Sequence, residues 1–239
     1  MVDKQRLDVA LVKEGLVESR SKAKELIRAG RVMVGSRAVN KPSYLVSAED
    51  ELVVSGPAPY VGRAAKKLLG ALDAFGVDPA DRVWADVGAG AGGFSQVLLE
   101  RGASLVYAID VGHNQLHSSL RQDPCVVVME GVNARHLQDL PRPVGGVVMD
   151  VSFISSTIIL PNIFRWLVPG GVGLVLVKPQ FELEPGLHRG VVRDPVLQRR
   201  ALERVGQAAQ AIGFVIGGES ESPLPGRQGN REFWLYLKK

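Results

Sequence analysis

The chain has 239 residues, of which 46% are hydrophobic and 23% charged, and its formal net charge is +4. This composition excludes a disordered chain, and the length suits one α/β domain with a small accessory domain. The positive charge is local, because residues 1–41 carry ten Lys or Arg against five Asp or Glu, as expected of a surface that binds nucleic acid.

The sequence also argues against membrane insertion and against metal chemistry. No apolar run approaches the roughly 18 residues that cross a bilayer, and the first residues, Met-Val-Asp-Lys-Gln-Arg, do not resemble a signal peptide. We therefore expect a cytoplasmic protein that does not insert into membranes. Cys125 is the only cysteine, so a disulfide and a zinc–cysteine cluster are excluded within one chain, and we expect no bound metal.

The first 55 residues predict a small α+β domain. Two helices, the first ended by Gly15 and the second by Gly30, precede short strands at residues 31–34, 37–40 and 51–55. The apolar positions of both helices have the spacing of one buried face. We therefore expect this segment to fold around a core of its own.

Basic side chains occupy the other face of the second helix and the turn that follows it. Taken alone, they are compatible with a solvated helix face. The stretch from Arg20 to Gly35, however, resembles the S4-like domain, a small RNA-binding domain first seen in a ribosomal small-subunit protein, and the resemblance covers about residues 5–55. It implies phosphate contacts, which give affinity rather than base identity, from Arg6, Arg20, Lys22, Lys24, Arg28 and Arg31.

A second domain, residues 62–239, follows a linker at residues 56–61, whose prolines and glycine suit neither helix nor sheet. Helices and apolar strands alternate in this domain. We predict helices at 63–75, 93–101, 114–120, 156–166 and 195–212, and strands at 82–87, 104–110, 125–129, 144–150, 171–178, 213–220 and 231–238. This order predicts an α/β domain with a Rossmann-like, mostly parallel seven-stranded sheet whose last hairpin introduces an antiparallel strand.

A glycine-rich loop between the first strand and the second helix of this domain predicts a nucleotide-type cofactor site. Glycines allow a tight turn and a close approach of the backbone to a ligand. Gly88, Gly90 and Gly93 also fit a dinucleotide fingerprint, and Asp110 can hold a ribose in either case. The helix before the first strand, the position of Asp86 and the final hairpin favour S-adenosylmethionine over NAD.

The acceptor of the methyl group is predicted from the ends of two later strands. The segment after Met149 reads Asp150-Val-Ser-Phe, which lacks the Pro-Pro pair typical of enzymes that methylate amines, and Cys125 lies in the wrong strand for carbon methylation. A hydroxyl acceptor fits better. A ribose 2′-hydroxyl needs a base or a neighbouring positive charge, and Lys178 ends an apolar strand at the edge where α/β sheets bind ligands.

Four motifs in sequence order resemble the TlyA family of ribosomal RNA 2′-O-methyltransferases, relatives of the FtsJ group. They are Tyr60–Leu72, Val148–Ser156, Val177–Glu182 and Pro225–Phe233. The resemblance implies a catalytic tetrad of Lys67, Asp150, Lys178 and Glu232, in which Lys178 activates the 2′-hydroxyl, Asp150 orients it, and the other two position ribose and lysine. Lys67 is assigned rather than its neighbour Lys66 because Leu follows it.

The same resemblance implies S-adenosylmethionine as the cofactor, ribosomal RNA or ribosomal subunits as the partner, and cytidine ribose as the acceptor. The implied cofactor contacts are Asp86, Gly88, Gly90, Gly93, Asp110 and Asn133. Two other functions stay open at this point. One is a membrane-active haemolysin, because members of the family carry that label, and the other is an RNA-binding protein without catalysis.

Overall fold

The computed structural model describes residues 4–28, 30–35, 37–54, 60–184, 186–187, 190–226 and 228–239. The chain divides into two compact units, residues 1–59 and residues 60–239, and each is described by itself. Residues 56–59 of the predicted linker lie outside the described residues.

The first unit packs two helices against short antiparallel strands. The helices are α1 (Leu7–Lys13) and α2 (Arg20–Arg28), and the strands are β1 (Gln5–Arg6), β2 (Val32–Val34), β3 (Arg37–Val39), β4 (Leu45–Val46) and β5 (Leu52–Val54). Strand β2 lies between β3 and β5, while β1 pairs with β4. The pair β1 and β4 was not predicted, because two-residue strands leave no periodic signal in the sequence.

The apolar faces of α1 and α2 meet in the core of this unit. Leu7, Leu11 and Ile27 are fully buried there. The last residue of the predicted strand 51–55, Ser55, lies outside the described residues, whereas the rest of that strand is present as β5. The first unit therefore has a hydrophobic core of its own, as the sequence predicts.

The second unit is a seven-stranded sheet with helices on both faces. Its strands are β6 (Val83–Val87), β7 (Leu105–Asp110), β8 (Val126–Glu130), β9 (Val144–Met149), β10 (Leu167–Val177), β11 (Val215–Glu221) and β12 (Phe233–Lys238). Its helices are α3 (Ala65–Phe75), α4 (Gly93–Glu100), α5 (Ser118–Arg121), α6 (Leu160–Trp166), α7 (Pro179–Glu182) and α8 (Pro195–Ile212).

The strand order across this sheet is β11-β12-β10-β9-β6-β7-β8. Strands β6 to β10 pair in parallel, and β12 is antiparallel to both β10 and β11. The central strands are almost continuously apolar because a hydrophobic cluster covers each face of the sheet. The prediction of a mostly parallel seven-stranded α/β sheet with one antiparallel strand is therefore confirmed.

Two predicted helices differ from those observed. The helix predicted at 114–120 is reduced to α5, because the carboxylate of Glu130 accepts hydrogen bonds from the backbone N–H groups of Asn114, Gln115 and Leu116 and so holds that stretch as a loop. The helix predicted at 156–166 consists of a 3₁₀ turn, Ser156–Ile158, followed by α6. Pro161 lies in the first turn of α6, where a proline is tolerated because backbone N–H groups there have no partner within the helix.

Candidate active site

The strand order reverses between β6 and β9. From β6 the chain continues outward to β7 and β8, and it then returns to form β9 on the other side of β6. Neighbouring strands at such a point send their carboxyl-terminal loops in opposite directions, which leaves a crevice where α/β folds bind ligands. The loop after β6 contains Gly88 and Gly90, and the loop after β9 begins at Asp150. The predicted cofactor loop and one predicted catalytic residue therefore lie on either side of this crevice.

The glycine-rich loop needs glycine for two different reasons. At Gly88, φ is +85°, and a Cβ there would lie 2.5 Å from the carbonyl oxygen of Asp150, so only glycine allows the two loops to touch. At Gly93 a Cβ would instead meet the backbone nitrogen of Ala65 at 3.1 Å. Gly93 thus allows α4 to pack closely on the start of α3, while Gly88 and Gly90 form the loop that faces the crevice.

Asp86 lies beneath this loop and is fully buried. Its Oδ2 accepts hydrogen bonds from the backbone N–H and the hydroxyl of Ser95, at 2.9 and 2.7 Å, whereas its buried Oδ1 has no partner. Burial raises the pKa of Asp86 to about 7, the bonds from Ser95 oppose that shift, and the nearby carboxylates of Asp150 and Asp110 reinforce it. Asp86 therefore supports α4 and places a buried carboxyl group under the loop.

Asp110, at the end of β7, organises the opposite wall of the crevice. Its two oxygens accept hydrogen bonds from the backbone N–H groups of Gly90, at 2.8 Å, and Gly112, at 2.7 Å. Asp110 as a residue is half-buried. Asn133 is exposed beyond β8, and its Oδ1 accepts a hydrogen bond from the backbone N–H of Arg135. The Asp110 side chain thus ties the glycine-rich loop to its neighbour.

Lys178 and Asp150 form an ion pair at the carboxyl ends of β10 and β9. Their Nζ and Oδ1 atoms are 2.5 Å apart, and although the angle is not that of an aligned hydrogen bond, the two charges are in contact. Lys178 also donates a hydrogen bond of 2.9 Å to the hydroxyl of Ser152. Only 8% of Lys178 is exposed, so its ammonium group is held by these two oxygens rather than by bulk water.

A second lysine–carboxylate pair lies beside the first. Lys67 Nζ, on α3, donates to Glu232 Oε2 over 2.5 Å, and both residues are buried. A Cβ at Gly226 would lie 2.5 Å from Glu232 Oε1, so this glycine leaves the room that the carboxylate occupies. Lys67 rather than its exposed neighbour Lys66 therefore makes the ion pair, which agrees with the choice made from the sequence.

Strand register brings the two pairs together. Val177 pairs with Phe233 across the antiparallel strands β10 and β12, so Lys178 and Glu232 occupy the next position of that register. On the other side, β10 pairs in parallel with β9, the strand that ends at Asp150. All four residues of the predicted tetrad are therefore assembled at one edge of the sheet, next to the glycine-rich loop.

Three residues of this edge were not identified from the sequence. Ser152 accepts the hydrogen bond from Lys178. Phe153 is 92% exposed and has a positive φ of 64°, with its ring centroid 5.2 Å from that of Phe181. Glu182 is buried and bonds to the segment that follows Phe153. The only signal in the sequence was their place beside Asp150 and Lys178, because exposure and positive φ cannot be read from residue type.

In the first unit, two of the predicted RNA-binding arginines share one buried carboxylate. Arg6 and Arg20 donate to Asp8 over 2.8 and 3.0 Å. Burial alone would raise the pKa of Asp8, but these bonds lower it below its ordinary value. The remaining surface of both guanidinium groups is open to solvent, so Asp8 holds them at the surface in fixed positions.

The other predicted RNA-binding residues lie on α2 and after it. Lys22 is 3.4 Å from Glu25 in an i,i+3 ion pair, Arg28 is exposed, and Lys24 and Arg31 are half-buried.

Among the residues that the structure describes, no helix is long and apolar enough to cross a membrane. No group of three or more His, Cys, Asp or Glu among those residues could hold a metal ion.

Comparison with known proteins identifies a family for each part of the chain. Residues 60–239 match the FtsJ-like methyltransferase family, and residues 5–52 match the S4 domain. The chain is 44% identical, over its full length and 91% of the relative, to the 16S/23S rRNA (cytidine-2′-O)-methyltransferase TlyA of Mycobacterium tuberculosis. The chain therefore belongs to the TlyA family of FtsJ-like methyltransferases, as the sequence motifs predicted.

Solved structures extend the comparison to the fold. A protein from Streptococcus thermophilus that is named a putative hemolysin is 39% identical and has a TM-score of 0.74. The alignment covers 100% of this chain and 90% of that one. An S-adenosylmethionine dependent methyltransferase from Mesorhizobium loti, only 15% identical, has a TM-score of 0.56 over 72% of this chain and 98% of its own. The latter likeness concerns the fold of the second unit alone.

The buried carboxyl of Asp86 generates a prediction about stability. A folded-state pKa near 7, against an ordinary value of 3.8, means that the folded protein binds more protons than the unfolded chain between these values. The free energy of unfolding should therefore fall as pH rises from about 4 to 7. In Asp86→Asn this loss is absent, so the variant should be more stable than wild type at pH 8, by up to about 4 kcal/mol, and close to it at pH 4.

Urea unfolding of wild type and Asp86→Asn across this pH range measures the difference. Asp73→Asn, which removes a carboxylate from the exposed face of α3, is the control and should keep the wild-type pH profile. Equal stability of Asp86→Asn and wild type at every pH would contradict the assignment.

Proposed function

We propose that this protein transfers a methyl group from S-adenosylmethionine to a ribose 2′-hydroxyl of ribosomal RNA, with cytidine as the modified nucleotide. The observation that carries the proposal is the pair of buried lysine–carboxylate ion pairs, Lys178 with Asp150 and Lys67 with Glu232, assembled beside the glycine-rich loop. The name of the mycobacterial relative, a 16S/23S rRNA (cytidine-2′-O)-methyltransferase, supports both the reaction and the nucleotide.

The crevice beside the loop fits S-adenosylmethionine, which supplies an electrophilic methyl group when bound. Asp86 has a buried oxygen without a partner, and Asp110 is only half-buried. We assign Gly88 and Gly90 to backbone contacts with the donor, and Asp110 to the ribose hydroxyls of the donor. We assign Asn133, which lies beyond β8, to the outer side of the donor site. Asp86 contributes a buried carboxyl group from below, whose ionised form a positively charged donor favours. Gly93 contributes by letting α4 pack on α3.

Three carboxylates near the loop also favour this donor over NAD. Asp150 and Asp110 both raise the pKa of Asp86, which places each of them within electrostatic reach of Asp86. S-adenosylmethionine carries a sulfonium and an ammonium group, whereas the diphosphate of NAD is anionic. A cluster of negative groups attracts the first and repels the second.

On the acceptor side, Lys178 is the group that we assign to activation of the 2′-hydroxyl. Its Nζ is held between Asp150 and Ser152. From this defined position Lys178 takes the hydroxyl proton when it is a neutral amine, or stabilises the oxygen as that proton leaves when it is an ammonium group. Asp150 orients Lys178. Lys67 and Glu232, fixed by their own ion pair, position the ribose and the lysine from the neighbouring strand.

Phe153 gives this edge a surface for the target base. A 92% exposed aromatic ring beside a polar site is the kind of surface on which unpaired bases stack, and an enzyme that modifies a nucleotide must separate it from its neighbours. The packing of Phe153 on Phe181 keeps the ring close to Lys178. We therefore assign Phe153 to the base whose ribose is methylated.

The first unit supplies RNA affinity in this proposal. Its basic side chains can neutralise phosphates without reading base identity, so we assign that role to Arg6, Arg20, Lys22, Lys24, Arg28 and Arg31. The substrate is free ribosomal RNA or an assembled ribosomal subunit. An enzyme with such a substrate acts in the cytoplasm, where ribosomes are assembled.

The choice of donor is tested by calorimetry with S-adenosylmethionine and NAD. We expect binding of S-adenosylmethionine and none of NAD. Asp110→Ala should weaken the donor by roughly 1–3 kcal/mol, the usual cost of removing a charged hydrogen-bond partner. Asp78→Ala, which removes an exposed carboxylate before β6, is the control and should bind the donor normally. Tight binding of NAD without S-adenosylmethionine would refute the proposal.

The role of the first unit is tested with a chain that begins at Tyr60. Residues 60–239 have their own hydrophobic cores, so this shortened chain should fold and bind the donor but lose most of its affinity for ribosomal RNA. In the full chain, Arg28→Ala should weaken RNA binding and reduce the slope of log K against log salt by about one, whereas Lys13→Ala should not. Unchanged RNA affinity of the shortened chain would contradict the assignment.

The role of Lys178 is tested by following methyl transfer to ribosomes from a host that lacks this protein. Loss of a group that acts in the transition state lowers turnover by about 10²–10⁴-fold without weakening donor binding. Lys178→Ala should therefore bind donor and RNA normally and show no detectable methylation. Lys66→Ala, next to Lys67 but exposed, should remain active.

Lys178→Arg separates the two ways in which this lysine can act. A guanidinium stays protonated and cannot accept the hydroxyl proton, so the variant should be inactive. Activity in Lys178→Arg would show that positive charge suffices, and activity in Lys178→Ala would show that the catalytic centre lies elsewhere.

A further inference from the structure

The segment that follows Asp150 adopts a conformation that its own sequence does not favour. Phe153 has a φ of +64°, a region that bulky residues rarely occupy, and its ring is 92% exposed. Neither the backbone preference nor burial of the ring explains why the segment stays in this form. Such strain persists where surrounding contacts determine it, so these contacts need to be identified.

The carboxylate of Glu182 makes those contacts. Its Oε2 accepts a hydrogen bond from the hydroxyl of Ser155 over 2.5 Å, and its Oε1 accepts one from the backbone N–H of Ser156 over 2.8 Å. Glu182 is 1% exposed, so these bonds are shielded from water. Ser155 also accepts the N–H of Thr157, and the carboxylate therefore holds the start of the 3₁₀ turn directly after Phe153.

Glu182 itself is anchored to the other side of the site. It ends α7, which begins one residue after Lys178 and also carries Phe181. Its backbone carbonyl accepts a hydrogen bond of 2.6 Å from Arg204 on α8. One buried carboxylate thus joins the loop after β9, which carries Asp150 and Phe153, to the turn after β10, which carries Lys178.

We infer that Glu182 is a positioning residue for methyl transfer, which holds Ser152 and Phe153 in place against Lys178. This inference rests on the proposed role of Lys178. The hydrogen bonds of Glu182 act only on the acceptor side of the crevice, because the glycine-rich loop, Asp86 and Asp110 have other hydrogen-bond partners. Loss of Glu182 should therefore affect turnover and the acceptor, and leave donor binding unchanged.

Glutamine should replace Glu182 with little loss. Its carbonyl oxygen can accept from the N–H of Ser156, and its amide can donate to the hydroxyl of Ser155, which is also an acceptor. Alanine, in contrast, leaves the Ser156 N–H buried without a partner. Glu184→Ala is the control, since Glu184 lies two residues away but is exposed and paired with Arg200 on the surface.

The experiment measures single-turnover methylation, donor affinity and hydrogen exchange for these variants. Glu182→Ala should lower the rate per folded molecule by roughly 10- to 100-fold, as small misplacements of reacting groups do, with donor affinity unchanged. Exchange should increase in a peptide covering residues 151–158 and not in one covering β7. Glu182→Gln and Glu184→Ala should keep near wild-type rates and exchange.

A double-mutant cycle with Phe153→Ala tests how Glu182 acts. Once the ring is absent, loss of Glu182 should cost less than it does in wild type, because part of its effect is to hold that ring. Should Glu182→Ala not fold, Ser155→Ala, which removes one of the two hydrogen bonds, should show the same pattern with a smaller loss.

Three results would overturn the inference. They are a wild-type rate in folded Glu182→Ala, a loss of donor affinity that parallels the loss of rate, and additive effects of Glu182→Ala and Phe153→Ala. Failure of the proposed function is a different result, because wild type itself would then not methylate. Hydrogen exchange in residues 151–158 would still report whether Glu182 holds the loop.

Discussion

Two buried lysines at one edge of the sheet can stay charged only because each is paired with a carboxylate. An ammonium group taken out of water without a partner costs several kcal/mol, and Lys67 and Lys178 are each only 8% exposed. The pairs therefore fix the geometry of the site, since neither lysine can move away from its carboxylate without that cost. Removing one member of a pair would leave the other as an unbalanced buried charge.

This requirement explains features of the fold far from the lysines in sequence. Glu232 can meet Lys67 only because β12 inserts antiparallel beside β10 and because Gly226 leaves space for the carboxylate. Asp150 can meet Lys178 because β9 and β10 are neighbours in parallel. The antiparallel strand β12 thus brings Glu232 to the carboxyl end of β10.

Much of this arrangement could be predicted from the sequence, and the limits have physical causes. Apolar strands of six or more residues and the helix at 195–212 were predicted within a few residues, because their periodicity is strong. The four residues of the predicted tetrad were chosen because they lie in motifs that resemble the TlyA family, and the structure places their side chains in two neighbouring ion pairs. Residues 114–117 were predicted as helix but form a loop, because their geometry depends on the distant carboxylate of Glu130.

The residues that support the site were the hardest to predict. Glu182 lies in a recognised motif, but nothing in that motif shows that its carboxylate bonds across to Ser155 and Ser156. Phe153 reads as an apolar residue that belongs in a core, yet it is exposed with a positive φ. Both features arise from contacts between segments that are distant in the chain, and a single sequence does not display such contacts.

The carboxylates around the crevice have a further consequence for turnover under the proposed reaction. Asp86, Asp110 and Asp150 lie close enough for two of them to raise the pKa of the third, so a positively charged ligand is favoured over a neutral one of similar shape. Transfer of the methyl group converts the sulfonium of the donor into a neutral thioether. The product therefore loses part of the attraction that bound the donor, whereas the proposed contacts with Asp110 and the loop do not depend on that charge. The same electrostatic field that selects the donor then favours exchange of the product for a new donor molecule.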